Sequence, residues 1–427
     1  MKTKYLIIGA GISGLTFANY CDGEYIIVEK ESEVGGYCRT IKRNGYIWDY
    51  AGHFFHFKTD EFKKKFLSEL KDNDVVYNKK CTKILYKSKL IDFPFQTNIH
   101  QLEKDEFIDC LYDLFNKNEK EKYENFLDML YGKFGKSIVE KFLKPYNEKL
   151  YSTDLKELDV DAMGRFFPYA NIDEIINNMK KKNINSYNSN FLYPKGGAAS
   201  FINILYKKLN KDNVFLNSEI VKIDKYKKVA TLSDGNKITY EYLINTSPLN
   251  SFLKCIGNYN SLINEMSYNK VLVFNMGFEK PSPLCNKEHW IYIPSKKTNY
   301  YRIGFYNNIL NDKRLSMYIE IGYGKDDVID SKEINKQLSL TMNNLVRDKI
   351  ITEDMELIDY ESIIMDPAYV HISTDTSEKI SKLTDELKKD NIYSIGRYGA
   401  WTYNSMEDCM IMAKTLADNL KEGDKND

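Results

Sequence analysis

At 427 residues the chain is too long for one small core, and at roughly 150 residues per domain two or three domains are expected. Lysine and arginine (61) balance aspartate and glutamate (61), which gives no reason to expect nucleic acid or an acidic membrane surface as a partner. No run approaches the ~18 uninterrupted apolar residues of a membrane span, and seven scattered cysteines without a Cys-x-x-Cys pair suit reduced thiols, so the expectation is a cytoplasmic protein with no integral membrane segment.

The chain opens with an apolar run, Lys4 to Ile8, followed by Gly9-Ala10-Gly11-Ile12-Ser13-Gly14, a short helical stretch, and Tyr25-Ile26-Ile27-Val28-Glu29. Two lysines before the run imitate a signal peptide, but the glycines break it and no small-residue cleavage site follows, so it reads as the first strand. Gly9 permits the turn out of the strand, Gly11 lets a pyrophosphate approach the helix N-terminus, and Gly14 lets helix and strand pack closely. Glu29, twenty residues after Gly9, is spaced to accept hydrogen bonds from a ribose diol. Strand, triplet, helix, strand and acid in this order predict a dinucleotide site.

Next come Gly35-Gly36-Tyr37-Cys38-Arg39, a second glycine turn with a basic residue, and an aromatic strand ending in Ala51-Gly52-His53-Phe54-Phe55-His56. His53 and His56 have no further Cys, His or acidic cluster at ligand spacing, so no metal is expected, and hydrogen bonding within the strand is the plain alternative to a cofactor contact. From Thr59 to about Asn183 apolar residues recur at helical spacing, over Asp60 to Leu70, Lys104 to Asn116, Lys120 to Tyr131 and Ser137 to Tyr146, interrupted by an extended segment around Pro94. Gly132 to Ser137 imitates a phosphate-binding loop, but Leu130 stands where its first glycine is required.

A helix is predicted over Ser200 to Leu209. Strands follow over Val214 to Ile223, Val229 to Ser233 and Lys237 to Ile244, with Asp234-Gly235 as a hairpin turn. Further strands are expected at Val271 to Phe278, Trp290 to Ile293, Tyr300 to Phe305 and Ser316 to Ile321, then a helix over Lys332 to Leu345. A last strand, Ile392 to Ile395, leads into Gly396-Arg397-Tyr398-Gly399 and a final helix.

An acid, a Gly-Gly turn with an arginine and a strand ending in Gly-His resemble the flavoproteins that include amine oxidases and UDP-galactopyranose mutase. The resemblance narrows to the mutase family, its eukaryotic-type members foremost. It is carried by Ala51-Gly52-His53, Phe93 to Ile99, Lys144-Pro145-Tyr146-Asn147, Tyr193-Pro194-Lys195-Gly196-Gly197, Trp290-Ile291-Tyr292, Tyr301-Arg302 and Gly396 to Tyr403, in the family's order.

The resemblance implies an α/β fold with three parts. These are a Rossmann-like FAD-binding domain of glutathione-reductase type (1–58, 190–247 and 385–427), an inserted, mainly helical substrate or cap domain (59–189), and an antiparallel sheet domain (248–384). It implies FAD, active when reduced, with NADPH or NADH as the reductant. The implied reaction interconverts pyranose and furanose forms of UDP-galactose or a related nucleotide hexose, N5 of the reduced flavin being the nucleophile at the anomeric carbon.

Gly9, Gly11, Gly14, Glu29, Gly36, Arg39, Gly52, His53, Gly396 and Arg397 match cofactor-binding positions. His53, Arg302 and Arg397 match the catalytic histidine and the two arginines that hold the diphosphate. Gln96, Asn147, Tyr151, Trp290, Tyr292, Tyr369 and Tyr403 match substrate contacts, while Trp48 reads as core. Tyr151 replaces a family tryptophan, Arg165 is displaced by about one position from a family arginine, and Asn404 to Asp408 mixes bacterial and eukaryotic patterns. Two alternatives stay open: an FAD oxidoreductase of amine-oxidase or protoporphyrinogen-oxidase type, and a non-catalytic FAD-binding homologue. Self-association is left open as well.

Overall fold

The computed structural model describes residues 1–71, 74–164, 167–180 and 190–423. Its first strand, Lys2–Ile8, lies between two parallel neighbours, Tyr25–Val28 and Lys237–Asn245. The sheet runs Ile220–Asp224, Val229–Leu232, Lys237–Asn245, Lys2–Ile8, Tyr25–Val28, Val214–Phe215, and Ile392–Ser394 pairs with the C-terminal end of Lys237–Asn245. Parallel strands covered on both faces need apolar residues on both, and the first strand supplies them. Tyr5 and Ile7 join a core with the helices Ile12–Tyr20 and Met406–Gly423, whereas Leu6 joins the opposite core with Leu249–Ile256 and Thr374–Lys389. This is the Rossmann-like α/β architecture expected from the glycine fingerprint.

A second seven-stranded sheet runs Leu357–Met365, Asn269–Phe278, Leu315–Gly324, Arg302–Phe305, Trp290–Tyr292, Thr82–Tyr86, Lys89–Asp92. Its strands from residues 248–384 pair antiparallel, as expected, and the sheet becomes mixed only where Trp290–Tyr292 runs parallel to Thr82–Tyr86. No hairpin joins these strands, so nothing local forces them antiparallel. Two of its strands come from the segment read as helical, and Val75–Lys79 of that segment pairs with Asn190–Pro194.

Gly135, at φ 74° and ψ 166°, breaks the stretch Phe126–Ile138, so the helix expected at Ser137 begins just after that break and runs through a π-helical turn, Val139–Leu143, into Lys144–Tyr151, while the helix expected at Lys120 is the part from Phe126 to the break. It starts late because Asn125 caps it, its side chain accepting from the Asp128 backbone N–H at 2.9 Å. The strand Leu357–Met365 and the helix Thr374–Lys389 were not anticipated. In that strand Ile358, Tyr360 and Ile364 are exposed while Asp359 and Glu361 bind Arg43, an inversion of the usual polarity pattern. Arg165 lies outside the described residues. All seven cysteines are free thiols. Among the described residues no helix is long and apolar enough to cross a membrane, and no cluster of three His, Cys, Asp or Glu could hold a metal ion.

Candidate functional site

A cavity of about 1170 Å³ extends from the glycine fingerprint to the second sheet. At its first end, a Cβ on Gly14 would lie 2.1 Å from the Gly9 carbonyl oxygen, so helix and strand can meet only without one. Gly11, by contrast, faces open space, with nothing within 4 Å of a Cβ placed there. The backbone therefore leaves room for a bulky group at the helix N-terminus. Glu29 lines the cavity, yet its two carboxylate oxygens already accept from the Ala10 N–H (2.7 Å) and the Glu31 N–H (2.9 Å). Its visible work is to fasten the fingerprint turn, with lone pairs left for a ligand. Arg39 donates to the Gly36 carbonyl at 2.9 Å, sits 3.3 Å from the Glu31 carboxylate, and lies 4.5 Å from the Tyr50 ring centre, while the Gly35 N–H donates to the Ala10 carbonyl at 2.9 Å and holds the second glycine turn on the first.

The middle of the cavity is walled by Ala51-Gly52-His53. Ala51 is held at φ 142°, and a Cβ on Gly52 would lie 2.4 Å from the Tyr318 hydroxyl, so this turn is pressed against the second sheet. Its supports are polar: Asn275 donates to the Asp49 carbonyl at 2.9 Å, and the Tyr306 hydroxyl lies 3.3 Å from the Ala51 carbonyl. The buried Asp49 carboxylate accepts from Thr40 (2.6 Å), Tyr193 (2.7 Å) and the Ala198 N–H (3.0 Å), and burial still pushes its pKa up to about 6. His53 has Nδ1 3.2 Å from the Ala51 carbonyl, which places the proton on Nδ1 and leaves Nε2 an acceptor. Burial, together with the charges of Arg397 and Arg302, holds this imidazole neutral, down to about 4.

At the far end two guanidiniums converge with different partners. Arg302 makes a bidentate pair with Glu320, at 2.8 and 2.6 Å, and lies 3.5 Å from the Tyr369 hydroxyl. Arg397 donates to the Asn404 carbonyl at 3.2 Å and is ringed by Tyr403 (4.3 Å), Tyr369 (5.3 Å) and Tyr398 (5.8 Å). Among the described residues no carboxylate pairs with it. Trp290 stacks on Phe54 at 5.2 Å and donates to the Tyr292 hydroxyl at 3.0 Å, so the Tyr292 proton is free to point elsewhere.

The structure thus brings Gly9, Gly11, Glu29, Gly36, Arg39, Gly52, His53, Asn147, Trp290, Tyr292, Arg302, Tyr369, Arg397 and Tyr403 onto one cavity wall, with Gly14 and Gly396 directly behind it. Two expected substrate contacts lie elsewhere. Gln96 is fully buried off the cavity, its amide nitrogen bound to the Pro168 carbonyl. Tyr151 is 1% exposed in the helical core and meets Tyr369 only edge-on, at 6.2 Å. Among the cavity residues that escaped the sequence reading are Glu320 and Lys80. Glu320 is the cross-strand partner of Arg302, a relation carried by register that linear spacing does not reveal. Lys80 lines the wall between the rings of Phe93 (5.3 Å) and Trp290 (5.5 Å), and burial pulls its ammonium down to about 8.

Residues 7–70 match the family model of an NAD(P)-binding Rossmann-like domain. Among solved structures, a reduced UDP-galactopyranose mutase superposes with TM-score 0.91 at 21% identity, covering 99% of this chain and 94% of that one. A putative protoporphyrinogen oxidase from Exiguobacterium sp. 255-15 gives TM-score 0.74 at 16% identity, covering 98% and 99%. A putrescine oxidase bound to putrescine gives 0.67 at 11%, covering 99% of each chain. The chain therefore has the fold of the UDP-galactopyranose mutase structure, shared more distantly with these oxidases and opened by a Rossmann-like dinucleotide-binding module.

Proposed function

We propose that the protein is a flavin-dependent sugar-nucleotide mutase that interconverts pyranose and furanose forms of UDP-galactose or a related nucleotide hexose. The observation that carries this reading is Arg397, a guanidinium without a carboxylate partner in a cage of tyrosines, beside Arg302 and on the same cavity wall as His53. A permanently charged fork in an aromatic pocket is suited to a diphosphate. The 0.91 superposition on a UDP-galactopyranose mutase supports the same substrate class.

FAD fits the other end. Gly11 leaves open space at the helix N-terminus that a pyrophosphate would use, Glu29 and Arg39 line the same cavity and would contact sugar and phosphates, and the cavity extends to His53. Bound and reduced, FAD would supply a nucleophilic N5 for the anomeric carbon, with NADPH or NADH as the electron source.

The chain's own residues then hold and shield. Arg302 and Arg397 would grip the diphosphate in the substrate and after it departs, and the hydroxyls of Tyr292, Tyr369 and Tyr403 would donate to its oxygens. Neutral His53 would present Nε2 as an acceptor toward the reacting end, its Nδ1 proton held by the Ala51 carbonyl. The indole of Trp290, braced by Phe54, offers a flat apolar face to a sugar ring. Aromatic walls keep bulk water from the reacting centre, where each charge contact then counts for more.

The test is to purify the protein, measure bound FAD, reduce it with dithionite, and supply UDP-galactose and related nucleotides. A furanose product formed only under reducing conditions is expected. Likeness to two oxidases keeps a second reading, an oxidoreductase on the same scaffold; net substrate oxidation with flavin reduction would establish it and overturn the mutase.

A further inference from the structure

The helix Lys144–Tyr151 carries Tyr146, Asn147 and Leu150 on the cavity wall. Asn147 is 2% exposed; its Nδ2 donates to the Leu143 carbonyl at 2.6 Å, and its Oδ1 has no partner. Its amide oxygen is thus an unsatisfied acceptor, buried within the stretch of helix that lines the cavity. Lys149, two residues on, points roughly 200° away around the helix, out of the cavity. There its ammonium donates to three backbone carbonyls, those of Ile293 (3.0 Å), Ser295 (2.9 Å) and Tyr300. All three sit in the loop joining Trp290–Tyr292 to Arg302–Phe305, the hairpin that supplies Trp290, Tyr292 and Arg302 to the same cavity.

The end of this helix is docked as firmly. Asn269 donates to the Leu150 carbonyl and His371 Nε2 to the Tyr151 carbonyl, at 2.5 and 2.9 Å. A Cβ on Gly322 would lie 2.3 Å from the Lys149 carbonyl oxygen, so the helix end rests directly on the second sheet. The last carbonyls of a helix have no partner within it, and here side chains from the opposite wall supply them.

We infer that Lys149 is a positioning residue for ligand binding: by tying this helix to the Trp290–Arg302 hairpin, it sets the distance across the cavity between Asn147 and the Tyr292–Arg302 wall, and so the fit of the nucleotide. The inference rests on the nucleotide-sugar reading of the site. Three hydrogen bonds from one cation exceed what a surface lysine makes, and each end of the tie is one strand or one helical turn from a cavity residue.

The variants are Lys149→Met, which keeps the stem and removes the donors, Lys149→Arg, which keeps a charged donor, and Lys149→Gln, which serves if the methionine variant does not fold. UDP affinity by calorimetry, KM and kcat, FAD content, and hydrogen exchange of residues 144–151 and 293–301 are compared with wild type. Lys149→Met is expected to weaken UDP binding and raise KM at least ~10-fold, a change of about 1.4 kcal/mol or more. FAD content and kcat should hold within about twofold, exchange should quicken in both segments, and arginine should restore part of the loss. UDP affinity within about twofold of wild type overturns the inference, as does weakened binding with exchange unchanged. If wild type itself binds no UDP, the mutase reading fails, and the tie is judged by exchange alone: quickened in both segments supports it, unchanged in either overturns it.

Discussion

Replacing Glu320 by glutamine should make the ligand-free protein less stable and its grip on a diphosphate tighter. Glu320 is 1% exposed and bonds Arg302 at 2.8 and 2.6 Å, while the Arg302 side chain keeps 20% exposure toward the cavity. Glutamine preserves volume but removes the charge and turns an amide N–H₂ toward a guanidinium. Removing one partner of a buried pair costs ~3–5 kcal/mol, and the open side of Arg302 argues for the lower figure, about 3 kcal/mol. With an unfolding entropy of roughly 2.1 cal/mol/K per residue over 427 residues, that lowers Tm by about 3 °C.

UDP supplies the missing negative charge and no longer competes with Glu320 for Arg302. The Tm gain on adding UDP should therefore be larger in the variant than in wild type, with a lower Kd. Thermal unfolding with and without UDP, together with calorimetric titration, reads both effects. The double variant Glu320→Gln with Arg302→Gln should recover part of the lost stability, because no charge is then left unpaired. An unchanged ligand-free Tm would refute the claim that the pair is buried and coupled. Weaker UDP binding would refute the claim that Glu320 opposes the anion.

Arg397→Ala, and likewise Arg302→Ala, should lower turnover by about 10²-fold or more while FAD stays bound, as measured by steady-state kinetics beside the flavin spectrum; unchanged turnover would remove that arginine from the diphosphate site. The two fingerprint glycines should separate fold from binding. Gly14→Ala puts a Cβ 2.1 Å from a backbone oxygen and should sharply reduce stability or soluble yield, whereas Gly11→Ala meets nothing within 4 Å and should fold with an unaltered Tm yet retain FAD at least ~10-fold more weakly. In acid, His289 and His371, 6% and 7% exposed, are held by burial down to about 4. Their Nδ1 atoms accept from the Cys81 N–H and the Ser267 hydroxyl, so both are neutral when folded, while the unfolded chain binds a proton near pH 6.5. The stability this gives is complete above that pH and is lost as pH falls toward 4. The two together should cost roughly 3 kcal/mol between pH 7 and 5 in denaturant titrations, and His371→Asn should flatten the slope.

The sequence by itself determined the first end of the cavity. Strand, glycine turn, helix and acid lie within thirty consecutive residues, and Gly14 answers a contact made inside that stretch, against the Gly9 carbonyl. Local constraint of this kind leaves a local record. Strands with a near-continuous apolar run, such as Asn269–Phe278, and helices with an apolar stripe, such as Lys104–Phe115, were legible for the same reason, whereas the inverted polarity of Leu357–Met365 hid that strand.

Only the tertiary structure decided how the far end is furnished. Arg302 is clamped because the register of two strands sets Glu320 directly opposite it, and Arg397 is unclamped because, among the described residues, tyrosines and a carbonyl but no carboxylate reach it. Gln96 and Tyr151, equally polar in the sequence, turn into the helical core, while Lys80, unremarkable among 61 basic residues, is carried to the cavity wall by the parallel pairing of Thr82–Tyr86 with Trp290–Tyr292. The side chain's identity is written in the chain, but its counter-charge, burial and company depend on strand register and helix docking between residues far apart in sequence.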